Sequence, residues 1–204
     1  MENISYQIHK FDQQTAIAEF DITDIDNAKL VELIDEYKNN HKSIESNVNA
    51  WHYGWLVHLD SRFDFLTSAI EKCTKIFLKE IYAGQNVPVL YESWIIDYKS
   101  LDFTKEHSHF PATLACSYYI ETDNDSSPAI VFPHLKKDSQ DISFEFIPST
   151  GKLIIFPGHL LHKVKPMLPS RHKTRKVFAA NIACFNEAFV KTINATQVLT
   201  KYVE

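Results

Sequence analysis

His107-Ser108-His109 sets two imidazoles two residues apart, and His162 follows 53 residues later in the segment Phe156-Pro157-Gly158-His159-Leu160-Leu161-His162. On an extended strand, residues two apart point the same way, so both rings can face one point. A third imidazole from a distant strand can then close a triangular face on a metal ion. The spacing reads as a three-ligand site of His107, His109 and His162. His159 competes with His162, since it lies three residues away and either can reach the site. His9, His41, His52, His58, His134 and His172 lack such company and read as surface or structural residues. Glu106 has the wrong strand parity and Asp102 falls in the approach loop, so neither carboxylate is expected to join the site.

The elements that must position these residues change in character along the chain. Asp24 or Asp26 can cap a helix whose Leu30, Leu33, Ile34 and Tyr37 form one apolar stripe. A second helix, opening at Ser61-Arg62-Phe63-Asp64 in the manner of a capping box, turns Leu66, Ile70, Cys73, Phe77 and Ile81 inward and stops near Gly84. The amino-terminal half, about 1–87, is therefore expected to be mostly helical. From Pro88 short runs rich in β-branched and aromatic residues take over, at Glu92 to Tyr98, Leu114 to Glu121, Ala129 to Phe132, Ile142 to Ile147, Lys152 to Phe156 and Val177 to Phe185. Helices followed by several short strands predict an α+β protein whose core, about 88–190, is a sandwich or jelly roll with the helices packed against a sheet. The continuous apolar run Leu153 to Phe156 has the texture of a strand buried on both faces, which gives a ligand just past its end a rigid base.

Composition narrows the function. A chain of 204 residues, 45% apolar and 13% aromatic, can bury a sizeable core, and no linker or repeat calls for a second domain within 1–204. Cys73, Cys116 and Cys184 are odd in number and show no CxxC spacing, which predicts reduced thiols and a cytoplasmic setting. No stretch approaches the roughly 18 apolar residues of a membrane span, and the first ten residues do not form a signal peptide. The net charge of −5 leaves no global nucleic-acid footprint. Locally, Lys163, Lys165, Arg171, Lys173, Arg175 and Lys176 crowd one stretch; it either favours an acidic substrate or is a solvated loop face. Trp51, Tyr53 and Trp55 form a lid or seal the sheet against the helices. The sequence does not fix the substrate, small molecule or protein, or the oligomeric state.

Three segments carry a resemblance: His107 to Tyr119 with its Tyr118-Tyr119 pair, Gly151 to Pro166 with its Phe-Pro turn before His162, and Arg175 to Ile182. In order and spacing they resemble the iron(II)- and 2-oxoglutarate-dependent oxygenases of bacteria and marine phages, with weaker similarity upstream through Asn49 to Gly54 and His58 to Phe63. The resemblance implies a double-stranded β-helix, a cupin-like jelly roll, acting as a dioxygenase. Such an enzyme uses Fe(II), 2-oxoglutarate and dioxygen, hydroxylates a substrate and releases succinate and CO2. It implies His107 and His162 as iron ligands, His109 at a position that is Asp or Glu in most of the wider superfamily, and Arg175 as the partner of the 2-oxoglutarate 5-carboxylate. Arg175 alternates with Val177, Ala179 and Asn181, so a strand there turns its guanidinium inward, where an always-charged group needs an anion. Arg171, set in turn chemistry, is the alternative. Tyr119 shares parity with the histidines if Pro111 leaves the register intact and would add a hydroxyl to the same carboxylate; Tyr98 is a second candidate.

The histidine at 109 opens three readings. It is the third ligand, as in three-histidine thiol dioxygenases that need no 2-oxoglutarate; it stands beside the iron and leaves a position for water or halide; or the metal is zinc. A jelly-roll binding protein with no redox chemistry is the remaining alternative.

Overall fold

The computed structural model describes residues 4–12, 15–81, 86–123, 127–167 and 174–186. Its strands are β1 (Ser5–Lys10), β2 (Ala16–Asp21), β3 (Val48–Asn49), β4 (Trp51–Tyr53), β5 (Asn86–Tyr98), β6 (Phe103–His107), β7 (Leu114–Thr122), β8 (Ile130–Lys137), β9 (Gln140–Phe146), β10 (Lys152–Pro157), β11 (His162–Val164) and β12 (Arg175–Asn186); the helices are α1 (Asn27–Asn40) and α2 (Asp64–Ile81). The strands form a seven-stranded sheet in the order β1-β2-β10-β7-β12-β5-β4 and a five-stranded sheet in the order β3-β6-β11-β8-β9. Every paired neighbour is antiparallel.

Two cores hold three layers together. On the outer face of the larger sheet, Leu30 and Ile34 of α1 and Ile70 and Phe77 of α2 pack with Phe20, Tyr118, Leu153, Ile155 and Phe178. Between the sheets lie Tyr119, Phe132, Phe146, Ile154, Phe156, Val164 and Val177. Successive side chains of β10 therefore enter different cores, Leu153 and Ile155 toward the helices, Ile154 and Phe156 toward the second sheet. That is the physical meaning of its unbroken apolar run. Burying each such side chain contributes about 1.5–3 kcal/mol.

The helices follow their predicted stripes. Asp26 is the residue that caps α1, its carboxylate accepting from Lys29 N at 3.1 Å, and Leu30, Leu33 and Ile34 are buried. Before α2 the capping oxygen comes from Asp60, which accepts from Arg62 N at 3.0 Å, so Ser61–Phe63 forms a single 3-10 turn instead of the expected capping box. Gly84 lies outside the described residues. Lys38 of α1 is paired with the buried Asp97 of β5, which also accepts from Thr174 Oγ1 at 3.1 Å.

The amino-terminal half departs from expectation, since β1 to β4 all fall within it. β2 gave no strand signal because Ala16, Ala18 and Phe20 enter one core and Ile17 the other, which removes the alternation, while alanine favours helix. β1 is an edge strand with no buried residue. The cysteines are unpaired, and burial pushes the Cys73 and Cys116 thiols up to about 12.

Candidate metal centre and ligand cavity

His107, His109 and His162 come together at the open end of the space between the sheets, their candidate ligand atoms all within 4.8 Å of one another. The route differs from the simple alternation of one strand. His107 is the last residue of β6, and His109 lies beyond it in the loop, where its amide donates to Gly158 O at 2.7 Å and its carbonyl accepts from Ala112 N at 2.8 Å. His162 opens β11, in the smaller sheet, and stands directly across from His107 in the antiparallel register. The buried strand β10 thus carries no ligand. It carries the turn that clamps His109, and Gly158 is required there because a Cβ would sit 2.2 Å from Ala112 O. His159 is exposed, which resolves its competition with the 4% exposed His162.

Backbone carbonyls fix two of the three tautomers. His107 Nδ1–H donates to Lys105 O at 2.8 Å and His162 Nδ1–H to Leu160 O at 3.0 Å, leaving each Nε2 as a lone pair. His109 Nε2 lies 3.2 Å from His162 Nε2. Metal–nitrogen bonds of about 2.1 Å put two ligand nitrogens on one ion about 3.0 to 3.4 Å apart, so this pair fits a shared metal. His109 is therefore a member of the cluster. Burial holds all three rings neutral: His107 is lowered by desolvation, His109 is lowered to about 3 by desolvation and the neighbouring His107, and His162 falls well below its ordinary value for the same causes with His109 added. Neutral imidazoles need lose no proton to bind a metal. Neither nearby carboxylate joins them. Glu106 pairs with Lys163 at 3.0 Å and His134 at 3.5 Å, and Asp102 accepts from Lys99 N at 2.7 Å.

A cavity of about 590 Å³ connects this cluster to Arg175. The predicted alternation holds: Arg175, Val177, Ala179 and Asn181 of β12 all line it, as do their register partners Tyr98, Ile96, Trp94 and Glu92 of β5. Arg175 is 2% exposed, and among the described residues no carboxylate pairs with it. Of the five N–H donors of a guanidinium, one goes to Pro128 O at 2.8 Å and one to Tyr119 Oη at 3.2 Å, while Nε is buried without a partner. Its carbon lies 4.8 Å from the Tyr119 ring centroid and 5.1 Å from that of Tyr98, whose hydroxyl shares a 2.6 Å hydrogen bond with Thr104 Oγ1. Burial pushes Tyr119 up to about 12 and raises Tyr98 too, against the pull of Arg175, so both phenols stay neutral. Tyr119 reaches Arg175 from the larger sheet; the parity shared with the histidines is not the reason, because β6 and β7 belong to different sheets. Arg171 and His172 lie outside the described residues.

At the other end, His52, Trp94, Glu92 and Asn181 were missed as cavity residues, although the alternation had marked Asn181. Of the three aromatics left open between lid and seal, Trp51 and Tyr53 pack toward the helices, and half-exposed Trp55 lines the cavity. Trp94 stacks on His109 with ring centroids 5.6 Å apart. Of the cationic stretch, Arg175 lines this cavity, whereas Lys163 pairs with Glu106, Lys165 with Glu145 at 2.7 Å and Lys176 with Glu121 at 3.1 Å, outside its lining; Lys173, like Arg171, lies outside the described residues.

No family model and no curated protein matches the sequence. Solved structures do match. A viral collagen prolyl hydroxylase from Paramecium bursaria Chlorella virus-1, in complex with 2-oxoglutarate, superposes with a TM-score of 0.57 at 16% identity over 81% of this chain and 94% of its own. A prolyl hydroxylase from Trichoplax adhaerens, bound to a peptide fragment of a hypoxia inducible factor, gives 0.57 at 13% identity over 79% of each chain. HygX from Streptomyces hygroscopicus, with nickel and 2-oxoglutarate bound, gives 0.56 at 8% identity over 82% of this chain and 83% of its own. The chain shares the double-stranded β-helix fold of these structures.

Proposed function

We propose that this protein is an iron(II)- and 2-oxoglutarate-dependent dioxygenase that hydroxylates a substrate held in the 590 Å³ cavity. The observation that carries the reading is Arg175: a buried guanidinium with no carboxylate partner among the described residues, lining the same cavity as three neutral, converging imidazoles. Burying an unpaired charge costs several kcal/mol, roughly, unless an anion arrives, and a dicarboxylate supplies one. Neither zinc nor thiol chemistry asks for a buried arginine at that place.

In this reading His107, His109 and His162 hold Fe(II), which when bound supplies activation of dioxygen. Arg175 binds the 5-carboxylate of 2-oxoglutarate, Tyr119 adds its hydroxyl to the same group, and Tyr98 walls the arginine. The aromatic lining keeps water from the reacting atoms. Overall, 2-oxoglutarate, dioxygen and a C–H bond become succinate, CO2 and a C–OH group, with one oxygen atom in each of succinate and alcohol. The neighbour that binds a peptide makes a protein substrate one option beside a small molecule. The Arg175→Ala variant tests the assignment: 2-oxoglutarate affinity is expected to fall at least ~100-fold, as for a lost bidentate charge pair of about 3 kcal/mol, with metal affinity unchanged. Arg175→Lys is not expected to restore it, since an ammonium lacks the planar fork. Undiminished 2-oxoglutarate binding by Arg175→Ala would contradict the role.

A further inference from the structure

The cavity is chemically two-ended, and only the Arg175 end has been given a ligand. Six residues up β12, about 20 Å at some 3.3 Å per residue, Asn181 faces Glu92 across the register. Asn181 Nδ2 donates to Glu92 Oε2 at 2.6 Å. A carboxylate can only accept, so this bond fixes which way the amide points. Asn181 Oδ1 is thereby turned away from Glu92. It is buried on a residue 7% exposed and serves the His109 ring as a side-chain hydrogen-bond partner, short of ideal geometry, so Glu92 is the acceptor that this end offers a ligand. The Glu92 carboxylate has no cationic partner among the described residues. His52, 2% exposed and also cavity-lining, leaves Nε2 without a partner; burial lowers it to about 4, so it adds no positive charge to this end.

The walls between these acceptors are aromatic. Trp55 and Trp94 lie 5.9 Å apart at 61°, each edge-on to His52, and Tyr91 lines the same mouth. Aromatic faces attract cations and reject anions. The lysines near the distal histidine are paired with carboxylates and stand outside the cavity, so nothing described at this end attracts an anion.

We infer that the Glu92–Asn181 end of the cavity is the substrate subsite and that it selects a substrate carrying a cationic nitrogen, a primary or secondary ammonium, which meets the Glu92 carboxylate between Trp55 and Tyr91. The inference rests on the oxygenase reading only for the word substrate. The Glu92 carboxylate and its preference for a cation stand on the cavity alone.

The test uses the full chain and two probes of one size and shape, benzylammonium and benzyl alcohol. Binding is followed by quenching of tryptophan fluorescence, with neither metal nor 2-oxoglutarate present. Benzylammonium is expected to saturate the signal at a concentration at least ten-fold below benzyl alcohol. The near-isosteric Glu92→Gln variant, whose amide oxygen still accepts from Asn181, is expected to abolish that preference. Trp55→Leu, at a half-exposed position, is expected to weaken benzylammonium and so locates the site. The inference is overturned if benzylammonium does not saturate, if benzyl alcohol binds equally well, or if the preference survives in Glu92→Gln. Loss of the preference with 2-oxoglutarate binding intact leaves the oxygenase reading standing; a clear ammonium preference without 2-oxoglutarate binding does the reverse.

Discussion

The surrounding protein sets the chemical state of individual side chains here. His107 and His162 present lone-pair nitrogens because Lys105 O and Leu160 O take their other ring protons. The Arg175 guanidinium is buried between two phenol rings. His52 shows what such burial does to stability. Its value is lowered from 6.5 to about 4 by desolvation, so the unfolded chain takes up a proton that the folded chain refuses. Stability contributed by neutral His52 is complete above pH 6.5, falls as pH drops from 6.5 toward 4, and is lost below that, by at most about 3 kcal/mol. Denaturant melts between pH 7 and pH 4 are expected to show a shallower decline for His52→Gln than for the wild type. Equal slopes would show that the ring is not held neutral.

At the scale of elements, one turn connects the buried strand to the metal centre. Between β10 and β11 the chain passes from the larger sheet to the smaller one, and Gly158 N donates to Thr113 O at 3.1 Å while Gly158 O receives the His109 amide. The added methyl of Gly158→Ala would meet Ala112 backbone atoms at 2.2 and 2.9 Å, and a backbone cannot step aside as a side chain can. Overpacking of this kind costs about 1–3 kcal/mol. The expected result is a lower melting temperature together with metal affinity reduced at least several-fold, because the displaced loop is the one that carries His109. Unchanged metal affinity would mean that His109 is positioned by something other than this turn. The turn also explains why the motif was only half legible. The residue types and the Phe-Pro-Gly spacing were visible in the sequence. That His107 ends a strand, that His109 hangs from a loop, and that the two sheets exchange partners at Gly158 depend on tertiary hydrogen bonds that no spacing encodes. For the same reason β12 was readable, its alternation placing Arg175 and Asn181 on one face, whereas β2, buried on both sides and rich in alanine, was not.

Across the whole molecule, the helices and the larger sheet form one core and the two sheets form another, and the functional residues line the space where the second core opens. No helix among the described residues is long and apolar enough to cross a membrane. The fold sets His107 and His162 on one sheet and the buried Arg175 on the other around one cavity. The central claim is that Fe(II) and 2-oxoglutarate bind there together. Anaerobic titration of the protein with Fe(II) and then 2-oxoglutarate, followed by visible absorption, tests it most directly. A weak metal-to-ligand charge-transfer band is expected on addition of 2-oxoglutarate, absent in His107→Ala and His162→Ala and shifted to higher 2-oxoglutarate concentration in Arg175→Ala. Folded, Fe(II)-loaded protein that gives no band at saturating 2-oxoglutarate would contradict the account.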